Sequence, residues 1–150
     1  MVELFRGTLM IVTREGDGRI YRVRRTARPT VNEVEFKALA VELARLLPSA
    51  QRAASLGLLL DMRDAPLLGD PVLEEAAVRS ARDISAGFPR TAVLVRTAVG
   101  ALQAKRIGRA VRPGETHLFH DEAEAFAFLH GTSPPPSAPV TSRRSGPTSR

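Results

Sequence analysis

The run Leu56-Gly57-Leu58-Leu59-Leu60 carries no charge, and the next six residues, Asp61-Met62-Arg63-Asp64-Ala65-Pro66, turn abruptly polar. A short apolar run bounded by turn residues reads as a strand covered on both faces, which is characteristic of parallel sheets flanked by helices. Thr91-Ala92-Val93-Leu94-Val95-Arg96-Thr97 repeats the pattern. In an open α/β sheet, ligands and partners dock in the crevice beyond the carboxyl ends of the strands. Asp61–Pro66 is therefore expected at the mouth of a site as well as at the end of a core strand.

The remaining elements follow from local signals. Thr8–Arg14 and Arg19–Arg25 are rich in strand formers and are separated by Glu15-Gly16-Asp17-Gly18, so they read as a hairpin. Residues 1–7 extend its first strand, with Gly7 as a kink. Thr30-Val31-Asn32-Glu33 has the form of a capping box, and Phe36, Leu39, Ala40, Leu43, Leu46 and Leu47 recur behind it at helical spacing until Pro48. Ser49–Ser55 reads as a loop. Asp70-Pro71 opens a second helix with stripe residues Leu73, Ala76, Ala77, Ser80, Ala81, Ile84 and Phe88. A third helix runs from Val99 to about Val111 and is stopped by Pro113-Gly114. The strand Thr116–Phe119 and a helix opened by Asp121-Glu122-Ala123-Glu124 complete the series, with Gly131 as its exit. The order is β-β-α-β-α-β-α-β-α: an α/β fold with an opening hairpin, then parallel β-α units, and about four helices on a mixed sheet.

From Thr132 the chain is rich in Pro and Ser and has one large apolar residue, Val140, too little to bury a core. The expected organisation is one domain over 1–130 and a disordered tail over 131–150. The tail holds three arginines and no acid, so half of the formal charge of +6 belongs to it. The balance over 1–130 is only +3, weak evidence for nucleic-acid binding, whose signature is charge clustered on one face, and no DNA partner is expected. Absence of cysteine removes disulfides, thiol catalysis and thiolate–metal ligation. No apolar run is long enough to span a membrane, and the first residues do not read as a secretory signal; a cytoplasmic location is expected.

Residues able to carry chemistry are few. Asp61, Arg63 and Asp64 form the best polar group at a strand end, with three readings: phosphoacceptor, general acid/base pair, or capping ion pairs. Thr97 and Gly100 open the third helix, where free N–H groups suit an anion. Arg22 and Arg24 share one face of their strand, opposite Tyr21 and Val23. They read as the charged, solvated face of an edge strand, or as an anion-binding stripe; the first is expected because arginine is mostly a surface residue. Lys105, Arg109 and Arg112 make a basic helix face. His117 and His120 lack a carboxylate–histidine pattern, so no metal site is expected, and neither nucleotide-binding glycine fingerprint is present. No cofactor is implied.

Three segments, Leu58–Pro66, Thr91–Gln103 and Phe119–Ala125, together resemble bacterial STAS-like proteins of the STAS/SEC14 or anti-sigma-factor-antagonist-like type. The resemblance runs from about Thr8 to Leu129 and implies a mixed sheet flanked by helices. In signalling members a serine or threonine near the start of the helix after the central strand is phosphorylated; here Leu67-Leu68-Gly69-Asp70-Pro71 has no hydroxyl. The resemblance thus implies a non-enzymatic interaction module without that switch. Its expected partner is a protein, such as a regulatory kinase or sigma-factor regulator, contacted through Asp61, Arg63, Asp64, Asp70, Thr97 and Gly100. The alternative is a small-molecule or lipid-binding domain with an apolar ligand under the helices.

Overall fold

A computed structural model of the chain describes residues 1–111 and 116–132. Six strands form one sheet in sequential order: β1 (Val2–Arg6), β2 (Met10–Glu15), β3 (Ile20–Arg25), β4 (Gly57–Asp61), β5 (Thr91–Leu94) and β6 (Thr116–Phe119). β1–β2 and β2–β3 pair antiparallel, and β3 through β6 run parallel. The protein is α/β, with the hairpin start and parallel continuation expected from the residue pattern. Residues 1–7 differ. Rather than extending β2, they fold back at Gly7, whose N–H donates to the Met10 carbonyl at 2.9 Å, and add a strand to the edge.

Consecutive parallel strands laid down in one direction by right-handed crossovers put every crossover helix on the same face. α1 (Glu33–Leu46), α3 (Pro71–Ser85) and α4 (Ala98–Val111) accordingly lie side by side, with α3 packed between the other two. α5 (Glu122–His130) follows the last strand and covers the opposite face over β4, β5 and β6. β4 is thereby buried from both sides: Leu58 packs under α1 and α3, Leu59 under α5. Gly57 leaves no room for a side chain against Arg90 and α5. A Cβ there would sit 2.6 Å from the Arg90 carbonyl oxygen and 2.8 Å from Leu129 Cδ2. The β2–β3 link needs left-handed backbone at three successive residues, Gly16, Asp17 and Gly18 (φ 59°, 64° and 78°), which two glycines and an aspartate adopt readily.

Two local expectations are corrected. Ser49–Ala54 is a short helix, α2, because Pro48 sets φ at −62° and its carbonyl accepts from Gln51 and Arg52 N–H at 3.0 and 3.1 Å. At α1 the cap is Asn32 instead of Thr30. Asn32 Oδ1 accepts from Glu35 N–H at 3.1 Å, while Glu35 Oε1 accepts from Val31 N–H at 2.8 Å. The reciprocal logic of a capping box is kept but shifted two residues along. Asp70, Asp121 and Gly131 act as read: the two aspartates accept from Val72 and Ala123 N–H, and Gly131 takes the left-handed exit of α5. The expected disordered tail, beyond Thr132, lies outside the described residues, as do Arg112 and the Pro113-Gly114 stop.

Candidate functional site

The carboxyl ends of β3, β4 and β5 present different surroundings to the two faces of the sheet. On the α5 face, strand alternation points Arg22 and Asp61 the same way, and register brings Thr13 opposite Arg22, with Glu15 two residues further along β2. Arg22 is not the solvated edge residue its sequence suggested. β3 is flanked on both sides, and the Arg22 side chain is only 9% exposed. Its guanidinium holds Glu15 with two bonds (2.8 and 3.0 Å), Asp61 Oδ2 at 2.8 Å and Glu122 Oε2 at 2.9 Å. Arg63 clamps Asp61 from outside with two bonds of 2.9 and 2.8 Å and reaches Glu122 at 3.1 Å. Thr13 Oγ1 completes the shell of Glu15 at 2.8 Å.

Three carboxylates and two guanidiniums are thus closed on one another. Burial works to raise the Asp61 pKa, but hydrogen bonds and charge from Arg63, with help from Arg22, outweigh it and hold the carboxyl below its ordinary range. Glu122 is lowered chiefly by its bonds to Arg22. Burial pushes the Arg22 pKa down, but its bonds to Glu15 and Glu122 leave it raised overall. A general acid or base for neutral pH needs a carboxyl pKa moved upward. Asp61 is moved the other way, and its side chain is 2% exposed. The cluster suits holding β2, β3, β4 and α5 together.

The other face is open. Between the sheet and the α3–α4 pair lies an apolar cavity of about 110 Å³, walled by Val23, Leu60, Val93, Ile84, Ala104 and Ile107. Small side chains keep it empty: Ala77 and Ala81 on α3, and Ala104 and Gly108 one turn apart on α4. The hydroxyls of Ser80 and Ser85 in its wall donate to the Phe36 and Ala81 carbonyls, so they leave the space apolar. Beside it at the strand ends lies a mouth of about 340 Å³, with Arg25, Phe36, Met62, Ala77, Ala104 and Ile107 lining both.

Most of the residues expected to form a contact site meet around this mouth. Arg63, Asp70, Thr97 and Gly100 line it. Asp64 pairs at 3.0 Å with Arg96, which lines it too. Asp61 does not belong to it, because alternation turns its side chain to the α5 face. Asp70 and Thr97 serve locally: Asp70 caps α3, and Thr97 Oγ1 takes the Gly100 N–H at 2.9 Å. The Leu67–Asp70 loop is fastened by Gln103, whose side-chain amide pairs with both Leu68 N–H (3.0 Å) and Leu68 carbonyl (2.7 Å). Of the basic α4 face, Arg106 pairs with Glu74 at 2.7 Å, while Lys105 and Arg109 are exposed.

Gln103, Met62 and Arg25 are not among the residues expected at a site, and Thr30 is expected only as a helix cap. For Arg25 a signal existed: the alternation that sets Arg22 and Arg24 on one face puts Arg25 with Tyr21 and Val23 on the other, apolar one. Among the described residues no group of three or more His, Asp and Glu side chains is placed to hold a metal ion, and no helix is long and apolar enough to cross a membrane. Comparison with known proteins finds no family model, curated protein or solved structure that matches the chain.

Proposed function

We propose that this chain is a non-catalytic, STAS-like binding module whose cavity takes a small apolar ligand through the mouth at the carboxyl ends of β3–β5. The observation that carries the reading is the cavity itself: an unfilled apolar space that shares six lining residues with a wider opening at the strand ends. Close-packed interiors leave few voids of this size, and a pocket with apolar walls and a few polar groups at its rim is the usual form of a ligand site. The closed charge cluster on the other face supports a binding role over a catalytic one.

1-Octanol is a suitable probe, with no charge and one flexible chain. Isothermal titration is expected to give saturable binding to the native protein and none to Ala104→Phe, whose ring fills the cavity from α4. Equal binding to both proteins would place octanol elsewhere and sink the proposal.

A second reading, docking of a protein partner on the loop Asp61–Pro71 and the adjoining helix, is favoured by four exposed apolar side chains on the elements around the mouth. These are Leu67, Val72, Val99 and Leu102, each more than half exposed. Loss of a partner on Leu67→Asp with Leu102→Asp, with octanol affinity unchanged, would separate that role from ligand binding.

A further inference from the structure

Among the described residues three arginines are buried, and two of them are held by several partners each. Arg22 holds three carboxylates. Arg52 donates to the carbonyls of Leu47, Asp83, Ile84 and Ala86 at 2.8–3.1 Å and lies over the Phe88 ring. Arg25 is the exception. It is 8% exposed, lies 5.8 Å over the Phe36 ring, and makes a single hydrogen bond, from Nε to the Leu9 carbonyl at 3.1 Å. Among the described residues no carboxylate pairs with it. Burial pushes its pKa down, opposed only by the charge of Glu35. Both terminal nitrogens of a guanidinium that lines the cavity and its mouth are left with donors to spend.

A second buried polar group lines the same mouth. Thr30 is 7% exposed, and its Oγ1 is the one fully buried side-chain oxygen or nitrogen among the described residues without a hydrogen-bond partner. It is free because Asn32, not Thr30, caps α1. Leaving a buried donor unused is costly, and so is leaving a buried charge unpaired. An unpaired guanidinium and an unpaired hydroxyl are thus brought to one opening.

We infer that the ligand is an apolar chain ending in a carboxylate, with the carboxylate received by Arg25 and the Thr30 hydroxyl and the chain lying in the cavity under α3 and α4. The inference rests on the cavity reading above and specifies its ligand. A guanidinium offers parallel N–H donors that match the two oxygens of a carboxylate, and the hydroxyl supplies one more. Arg63 and Arg96 at the same mouth are already paired with carboxylates, so one unpaired cation and one hydroxyl balance one negative charge; a phosphate dianion would remain under-compensated. The depth fits as well. The cavity runs from Met62 at the mouth to Thr91, which pairs with Leu58, a span of four strand residues or about 13 Å. A medium-length acyl chain is of that order.

Octanoate, 1-octanol and octyl phosphate, titrated into the native protein, separate the two claims. Octanoate is expected to bind about 10- to 100-fold more tightly than octanol, the value of charge-assisted hydrogen bonds to an ionised group. Arg25→Met should remove that advantage while octanol affinity stays the same. Should Arg25→Met fail to fold, Thr30→Val, nearly identical in shape, provides the second test: octanoate weakens by about fivefold and octanol is unaffected. Equal affinities for octanoate and octanol in the native protein would overturn the carboxylate assignment and leave the cavity reading standing. Octyl phosphate binding tightest would overturn it in favour of a phosphate head. No binding of any of the three would overturn both.

Discussion

The two faces of the sheet end the same strands in opposite ways. Toward α5, Arg22, Arg63, Glu15, Asp61 and Glu122 pair with one another in a single charge network. Toward α3 and α4, an arginine and a threonine equally deep in the fold have one hydrogen bond between them, beside an unfilled apolar space. Both sets of residues come from nearby positions: Arg22 and Arg25 are on one strand, and Asp61 ends the next with Met62 directly after it. Buried charge is tolerated where it is matched within the chain. Where it is not matched, the complementary group has to come from outside. Saturation, rather than polarity alone, separates the scaffold from the candidate site.

The largest effect should come from breaking the saturated side. Asp61→Ala leaves Arg22 and Arg63 without their shared carboxylate and is expected to cost about 3–5 kcal/mol in denaturant unfolding. Octanol affinity of the folded fraction should not change, because Asp61 faces away from the cavity. If octanol binding fell in parallel, the two faces would not be independent.

Acid should act on the same side more gently. In the folded state Asp61 and Glu122 have pKa values below their ordinary 3.8 and 4.5, so the unfolded chain binds protons more readily as pH falls. The stability they contribute is complete above pH 4.5 and is lost as pH drops through the ordinary values toward the lower folded-state ones. Thermal melts of native protein from pH 7 to 3 should show this decline, and Asp61→Asn should flatten it. Glu122 is 43% exposed and contributes the smaller share.

On the open side, removing the unsatisfied group should help the empty protein. Thr30→Val is expected to raise unfolding stability by about 1 kcal/mol, since a buried hydroxyl without a partner is replaced by a methyl of similar size. Destabilisation instead would mean that the hydroxyl is satisfied in solution. Smallest of all, Gly108→Ala adds a Cβ that meets only Thr116 Cγ2, at 3.9 Å, in ordinary contact. It should stabilise by about 0.5–1 kcal/mol through reduced freedom of the unfolded chain, and it should weaken octanol binding slightly by narrowing the cavity.

Much of the fold was legible because its signals are local. The apolar runs of β4 and β5, the caps Asp70 and Asp121, and the exit at Gly131 each depend on neighbours a few residues away. The cap of α1 shows the limit. Thr30…Glu33 and Asn32…Glu35 both satisfy a capping pattern, and only the path of the chain out of β3 decides between them. The site was less legible for the same reason. Asp61, Arg63 and Asp64 were recognisable as a polar strand end, yet Arg22, Glu15 and Glu122 join Asp61 from positions 39, 46 and 61 residues away in the chain. Whether a residue at a strand end faces the cluster or the cavity follows from alternation. Whether it is satisfied there depends on partners that only the assembled sheet brings near.

The most direct measurement is the set of intermolecular NOEs between octanoate chain protons and the protein, recorded together with the Arg25 Nε resonance. The account predicts contacts from the chain methyl to the methyls of Val93, Ala81 and Ile84, which line the cavity and not the mouth, and a shift of Arg25 Nε with octanoate that octanol does not produce. Contacts confined to the exposed side chains Val99 and Leu102, or an Arg25 resonance indifferent to the head group, would contradict it.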